Sequence, residues 1–120
     1  MQKFLAVSVL FVMCSPVLAK RHHGIVYGKA SWDQRTSHMV TACRGLNRGA
    51  VLRVWNPSKP NHKIILKVND ACGGGMRGMG RVLDLSTGAF KKLYGSLSHG
   101  TGHVAYQVIK NGKGHYCGHR

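Results

Sequence analysis

Many short strands and a single short helix, punctuated by glycine and asparagine within about 90 residues, predict an all-β protein folded as a small closed barrel, because closure removes the exposed edges that short strands otherwise present. Composition points the same way. The chain has 120 residues, room for one folded domain, and its 43% hydrophobic content with 16 Gly and 3 Pro gives enough apolar material for a core and too little bias for wholesale disorder.

The elements follow in order. Residues 1–19 read as an export signal: Lys3 gives a positive start, Phe4 to Met13 is an apolar run too short to span a bilayer, and Val17-Leu18-Ala19 offers a cleavage site after Ala19. Cys14 lacks the small preceding residue that a lipid anchor needs. The product is expected to be secreted or periplasmic, with no membrane span, as a domain over 20–112 and a Gly/His tail over 113–120. Gly24 to Trp32 reads as the first strand and Val51 to Asn56 as the second. Pro57-Ser58-Lys59-Pro60-Asn61 is a turn cluster that joins the second to a third strand, Lys63 to Asn69, in a hairpin. Gly73, Gly74, Gly75, Gly78 and Gly80 mark a loop before extended structure resumes at Arg81 to Leu85. Ser86 has the chemistry of an N-cap for a helix through Leu93 that stops at Gly95 and buries Ala89, Phe90 and Leu93. A strand from His103 to Ile109 closes the domain.

Charge limits the chemistry. There are 18 Lys and Arg against three acids, Asp33, Asp70 and Asp84, with no Glu, for a net charge of +15. Most divalent-metal sites built from carboxylate clusters are excluded, and any carboxylate catalysis must use those three positions. Lys and Arg spread along the whole chain suit anionic wall polymers and attract them in a salt-dependent way. The same charge would hold nucleic acid nonspecifically, but no nucleic-acid recognition motif accompanies it, so no specific nucleic-acid partner is expected. His115, Cys117 and His119 are zinc- or copper-type ligands on a Gly-rich tail with nothing to orient them, so neither metal nor cofactor is expected, and the protein is taken as a monomer. In an oxidising compartment the three cysteines beyond the signal allow one disulfide. Cys43 and Cys72, both within the folded body, are the favoured pair, and Cys117 joined to either is the alternative.

Three segments together resemble a known family. Gly28-Lys29-Ala30-Ser31-Trp32, Gly49-Ala50-Val51-Leu52-Arg53-Val54-Trp55-Asn56, and Val68-Asn69-Asp70 followed by Arg81-Val82-Leu83-Asp84-Leu85-Ser86 are similar to the ordered motifs of rare lipoprotein A-like domains. The resemblance implies a six-stranded double-psi β-barrel with one or two short helices, a groove for peptidoglycan or another cell-wall glycan, and lytic transglycosylase activity. Barwin-like proteins, expansins and family 45 endoglucanases share that barrel, so fold alone does not fix activity. The chain departs from the family where it lacks the Glu after the first strand, carries Cys43 where the family has His, and has Asp70-Ala71-Cys72-Gly73 for Asp-Arg-Gly-Pro. Cys72 resembles the barwin-like cysteine that enters a disulfide, which again implies a bond to Cys43.

A lytic transglycosylase needs a single carboxyl, since the sugar's own 6-hydroxyl attacks the anomeric carbon, and this economy suits so few acids. Asp70 matches the family motif and is the leading catalytic candidate; its plain reading is a turn residue. Asp84 matches the residue that in expansins resembles the family 45 acid, but its local reading is a scaffold carboxylate bonded to loop or helix N–H groups. Asp33 after Trp32 is faintly similar to the Tyr-Trp-Asp of family 45. Trp32, Trp55 and Arg44 are the candidate substrate-binding residues, with Tyr27 a further stacking candidate. The expected function is that of a peptidoglycan lytic transglycosylase; the alternative is a non-catalytic wall-binding or wall-loosening module.

Overall fold

The structure, a computed structural model, describes residues 24–43, 45–70 and 80–114. The export signal, Arg44, Cys72, the 73–78 glycine loop and the tail histidines with Cys117 lie outside those residues.

Six strands, β1 (Ile25–Trp32), β2 (Val40–Cys43), β3 (Val51–Trp55), β4 (Lys63–Asp70), β5 (Arg81–Leu85) and β6 (Thr101–Lys110), close into a barrel in the order β1-β5-β2-β4-β3-β6. The all-β barrel expected from the sequence is therefore the observed fold. Strand limits differ from expectation by a residue or two: β3 stops at Trp55, β4 reaches Asp70, and β6 extends to Thr101 and Lys110 because its whole length pairs with β1 and β3.

β2 has no counterpart among the strands read from periodicity. Val-Thr-Ala-Cys is only four residues long, and its last three are buried, so no polar alternation marks it. Its existence depends on neighbours, parallel β4 on one side and antiparallel β5 on the other.

The topology has an internal symmetry. Replacing each strand by the one three places on in the chain reproduces every neighbour pair, so parallel β1–β5 maps onto parallel β4–β2 and antiparallel β1–β6 onto antiparallel β4–β3. Two three-strand halves thus interleave, and β5, from the second half, lies between β1 and β2 of the first. This is the double-psi arrangement, and it brings distant segments side by side.

Inward residues alternate as the strand period requires: Leu66 and Val68 of β4 are buried while Ile65, Lys67 and Asn69 are exposed. They join Leu52, Val54, Leu83, Leu85 and Val104 in one core, which Phe90 and Leu93 of helix α1 (Thr87–Tyr94) complete. Ser86 caps α1 as expected, its Oγ accepting from Ala89 N at 3.2 Å. Gly95 ends it at φ 85°, a left-handed conformation in which its N–H reaches Lys91 O. A single 3-10 turn, Leu97–His99, leads into β6. Among the described residues no helix is long and apolar enough to cross a membrane.

Candidate functional site

The strand registers lay a row of side chains across four adjacent strands. Ser31 of β1 is opposite Asp84 of β5, Asp84 is opposite Ala42 of β2, and Ala42 is opposite Asp70 of β4. With about 4.8 Å between neighbouring strands, the backbone positions of Asp84 and Asp70 are about 10 Å apart, separated by one methyl group. The row lies where the parallel pair β1–β5 runs past the oppositely directed parallel pair β2–β4, so that each of its residues is at or next to the C-terminal end of its own strand.

Asp84 occupies the middle of this row. It is half-buried, and its Oδ1 accepts a hydrogen bond from Ser31 Oγ at 3.1 Å. Burial pushes its carboxyl above the ordinary value of 3.8; the Ser31 hydrogen bond and Arg81 oppose this, while the charges of Asp33 and Asp70 add to it. Asp84 does not bond the helix N–H groups, one of the two partners its local sequence offered it. The helix N–H groups have other acceptors: Thr87 N bonds Gln34 O, Gly88 N bonds Thr36 O, Ala89 N bonds Ser86 Oγ and Phe90 N bonds Ser86 O.

Those same bonds fix one wall of the row. The segment from Asp33 to Met39 straps over the beginning of α1, held by Ser86 Oγ donating to His38 O at 2.6 Å and by Thr87 Oγ1 donating to Thr36 O at 3.2 Å. Gly88 makes this possible, since a Cβ there would lie 2.8 Å from the Ser37 Cα and carbonyl oxygen. Asp33 N in turn donates to Leu85 O at 3.0 Å, which seats Asp33 beside the end of β5. Gln34 and Asn69 exchange two amide hydrogen bonds, 3.0 and 2.9 Å, tying the strap to β4.

Asp70 is exposed and paired with Arg48 at 3.3 Å, both side chains about half accessible. It is thus at the solvent end of the row and held by a cation. Trp32 is partly buried at the end of β1, with its Nε1 donating to Leu97 O at 3.1 Å and the Arg35 guanidinium 5.3 Å from its ring centre. It is anchored, with one region of the ring covered by a cation.

Trp55 does not join this surface. It lies on β3 opposite Lys63 and Ala105, is 6% exposed, and has the Lys63 ammonium 4.5 Å from its ring centre. Its ring belongs to another part of the barrel wall, because Trp55 pairs with Lys63 at the start of β4, seven residues from Asp70 at the end of that strand. Tyr27 is exposed but lies near the start of β1, five residues before the row's end of that strand. Cys43 is buried in the core, and its expected partner Cys72 lies outside the described residues, as does Arg44.

Sequence reasoning missed Ser31, Gln34, Asn69 and Arg48. Ser31 alone carried a signal, its place in the Gly-x-Ala-Ser-Trp segment, but nothing local says that its hydroxyl meets a residue 53 positions later. Among the described residues no group of three or more His, Cys, Asp or Glu is placed to hold a metal ion.

The chain is therefore a small interleaved β-barrel with an acid-bearing row near the C-terminal ends of four strands. No family model matches it, and no curated protein matches it by sequence. Among solved structures, the apo form of the Clavibacter michiganensis expansin shares its fold, with a TM-score of 0.58 and 21% identity over 76% of this chain and 53% of that one. An Asp-to-Asn variant of the Clavibacter michiganensis expansin in complex with cellohexaose gives a TM-score of 0.58 and 20% identity over the same shares. The chain spans about half the length of those proteins.

Proposed function

We propose that this chain is an exported, wall-directed module that binds glycan along the Ser31–Asp84–Ala42–Asp70 row without cleaving it, in the manner of the barwin-like and expansin barrels it resembles. The observation that carries this reading is the row itself. A hydroxyl, a carboxyl, a bare methyl and a second carboxyl follow one another on a barrel whose fold is also that of a protein solved with cellohexaose. Convergent polar groups around a small apolar floor suit the hydroxyls and C–H faces of a sugar chain. Trp32 and Arg35 extend the surface beyond Ser31, and the Gln34–Asn69 clamp borders it. Export, peptidoglycan as one of the glycans, and a Cys43–Cys72 disulfide belong to the same proposal.

Asp70 supports binding better than acid catalysis, since it is exposed and engaged by Arg48. A hydrolytic reading is favoured by one observation, the influence of Asp33 on a half-buried Asp84 whose proton affinity is raised. Asp84 would then protonate the leaving oxygen and Asp33 would activate water on the opposite face of the sugar, the two-carboxylate scheme of an inverting hydrolase.

One experiment separates these readings. Purified protein is incubated with insoluble peptidoglycan and with cellohexaose, and both binding and soluble products are measured by mass spectrometry. Retention without products, weakened in Asp84→Asn, is the expected result. Anhydro-muropeptides would establish a transglycosylase, and new reducing ends that vanish in Asp33→Asn would establish a hydrolase.

A further inference from the structure

At the far end of α1 the surface has a different character. Two adjoining hollows, of about 230 and 270 Å³, share Asn56, Lys59, Leu93 and Tyr94. The first also takes in His62 and Lys92, the second His99 and His103. We infer that this dish, between the 56–62 turn, the end of α1 and the start of β6, is an anion subsite for the phosphate or carboxylate groups of a wall polymer. The inference rests on the wall-glycan reading above and deepens it: a neutral stretch of polymer would occupy the row at one end of α1 and a charged substituent the dish at the other, about 12 Å away along an eight-residue helix.

Three features support the assignment. First, the cations of the dish have no carboxylate of their own. The chain has three acids, and the structure gathers them at the other end of the helix, so among the described residues no carboxylate lines either hollow. Lys63, by contrast, lies over Trp55 and donates to Pro60 O, leaving Lys59 and Lys92 as the lysines that face the hollows.

Second, the groups that would repel an anion are already occupied. A helix C-terminus carries partial negative charge, but here Leu93 O accepts from Asn56 Nδ2 at 3.3 Å and Lys91 O from Gly95 N at 2.7 Å. The Tyr94 hydroxyl donates to His103 O, and burial pushes its pKa up to about 12, so the phenol adds no negative charge at neutral pH.

Third, the walls are fixed. Asn56 Oδ1 accepts from Ser58 N at 2.9 Å, which shapes the turn bearing Lys59, and Gly102 leaves room for the Tyr94 ring, whose Cε1 would lie 2.4 Å from a Cβ at that position. A rigid dish with movable cations at its rim can adapt to a tetrahedral phosphate or a planar carboxylate.

The test compares two charge-matched variants, Lys59→Gln/Lys92→Gln and Lys67→Gln/Lys110→Gln. The second removes exposed lysines that flank Val51 on β4 and β6, away from the dish. Binding is measured to poly(glycerol phosphate), to polygalacturonate, to cellohexaose and to insoluble peptidoglycan, with melting curves confirming that both variants fold. The dish predicts roughly ten-fold weaker polymer binding for the Lys59/Lys92 pair, the sum of two exposed ion pairs, and about two-fold or less for the control pair. The polymer that loses more identifies phosphate or carboxylate as the natural group. Equal losses in the two variants, or no loss in either, overturn the subsite and leave a diffuse basic field. Failure to bind both cellohexaose and insoluble peptidoglycan while the Lys59/Lys92 dependence persists removes the wall-glycan reading and leaves the anion site standing.

Discussion

Replacing Asp84 by Asn is expected to make this protein more stable at neutral pH while weakening its hold on glycan. The half-buried carboxyl has its proton affinity raised by desolvation, so the folded chain takes up a proton at higher pH than the unfolded chain, whose carboxyl keeps the ordinary value of 3.8. Stability is therefore greatest below that value, declines as pH climbs through the folded value, and stays at the lower level above it. The slope within that window is at most about 1.4 kcal/mol per pH unit and is reduced by solvent screening of a half-exposed group. Asn removes the ionic cost and the repulsion from Asp33 and Asp70, yet keeps an oxygen for Ser31 Oγ. Against this, a charge-assisted hydrogen bond worth about 1.5–3 kcal/mol becomes a neutral one worth about 1 kcal/mol. The balance at pH 7 is a gain of up to roughly 1 kcal/mol, or about 4–8 °C in Tm for a domain of this size. Thermal melts from pH 3 to 8 measure it, and the difference between variant and parent should vanish near pH 3. A variant that melts well below the parent at pH 7 would refute the reasoning and return Asp84 to the scaffold.

Tyr94 gives an alkaline counterpart: its pKa of about 12 against an ordinary 10.0 means that stability falls as pH rises between those values, and Tyr94→Phe should flatten that decline in melts at pH 9 to 12. Gly88→Ala should cost about 1–3 kcal/mol and loosen the strap over α1, because the new methyl meets the Ser37 backbone, which cannot rotate away. Hydrogen exchange at residues 33–39 checks the second part; unchanged protection would contradict it. For the proposed Cys43–Cys72 bond, reduction should cost about 3.6 kcal/mol by the loop-closure estimate, and peptide mapping that finds both thiols free, or Cys117 paired, defeats the pairing.

Much of the barrel was legible because its signals are local. Leu66 and Val68 alternate with Ile65 and Lys67 in β4, Ser86 and Gly95 carry the chemistry of helix ends, and the Pro57 to Asn61 cluster spells a turn. β2 was hidden because a four-residue strand buried between two others has no polar face to reveal its period. The site was harder to read for a related reason. Asp70 and Asp84 could be named from their motifs, but their roles depend on partners set by the tertiary fold: Ser31 across β1–β5, Arg48 on the β2–β3 connection, and the strap that occupies the helix N–H groups Asp84 was expected to bind. Trp55 illustrates the converse, an aromatic residue in a motif-like segment whose exposure depends on which strands flank it.

The interleaving of the two halves also explains how a protein of net charge +15 brings its three carboxylates together. Asp33, Asp70 and Asp84 are far apart in the chain, yet inserting β5 between β1 and β2 sets them within electrostatic reach of one another. In so basic a molecule a lone surface carboxylate would ordinarily be surrounded by cations that favour its charge. At Asp84 burial, the largest influence, outweighs the Ser31 hydrogen bond and Arg81, so its carboxyl is driven toward the neutral form in spite of the global charge. On the proposed reading, a polyanion drawn in by the net charge meets the lysines at the other end of α1, while uncharged sugar lies along Ser31, Asp84 and Ala42. On that reading the helix that separates the two ends acts as a ruler, and a polymer with neutral rings and spaced charged groups would be bound in one orientation.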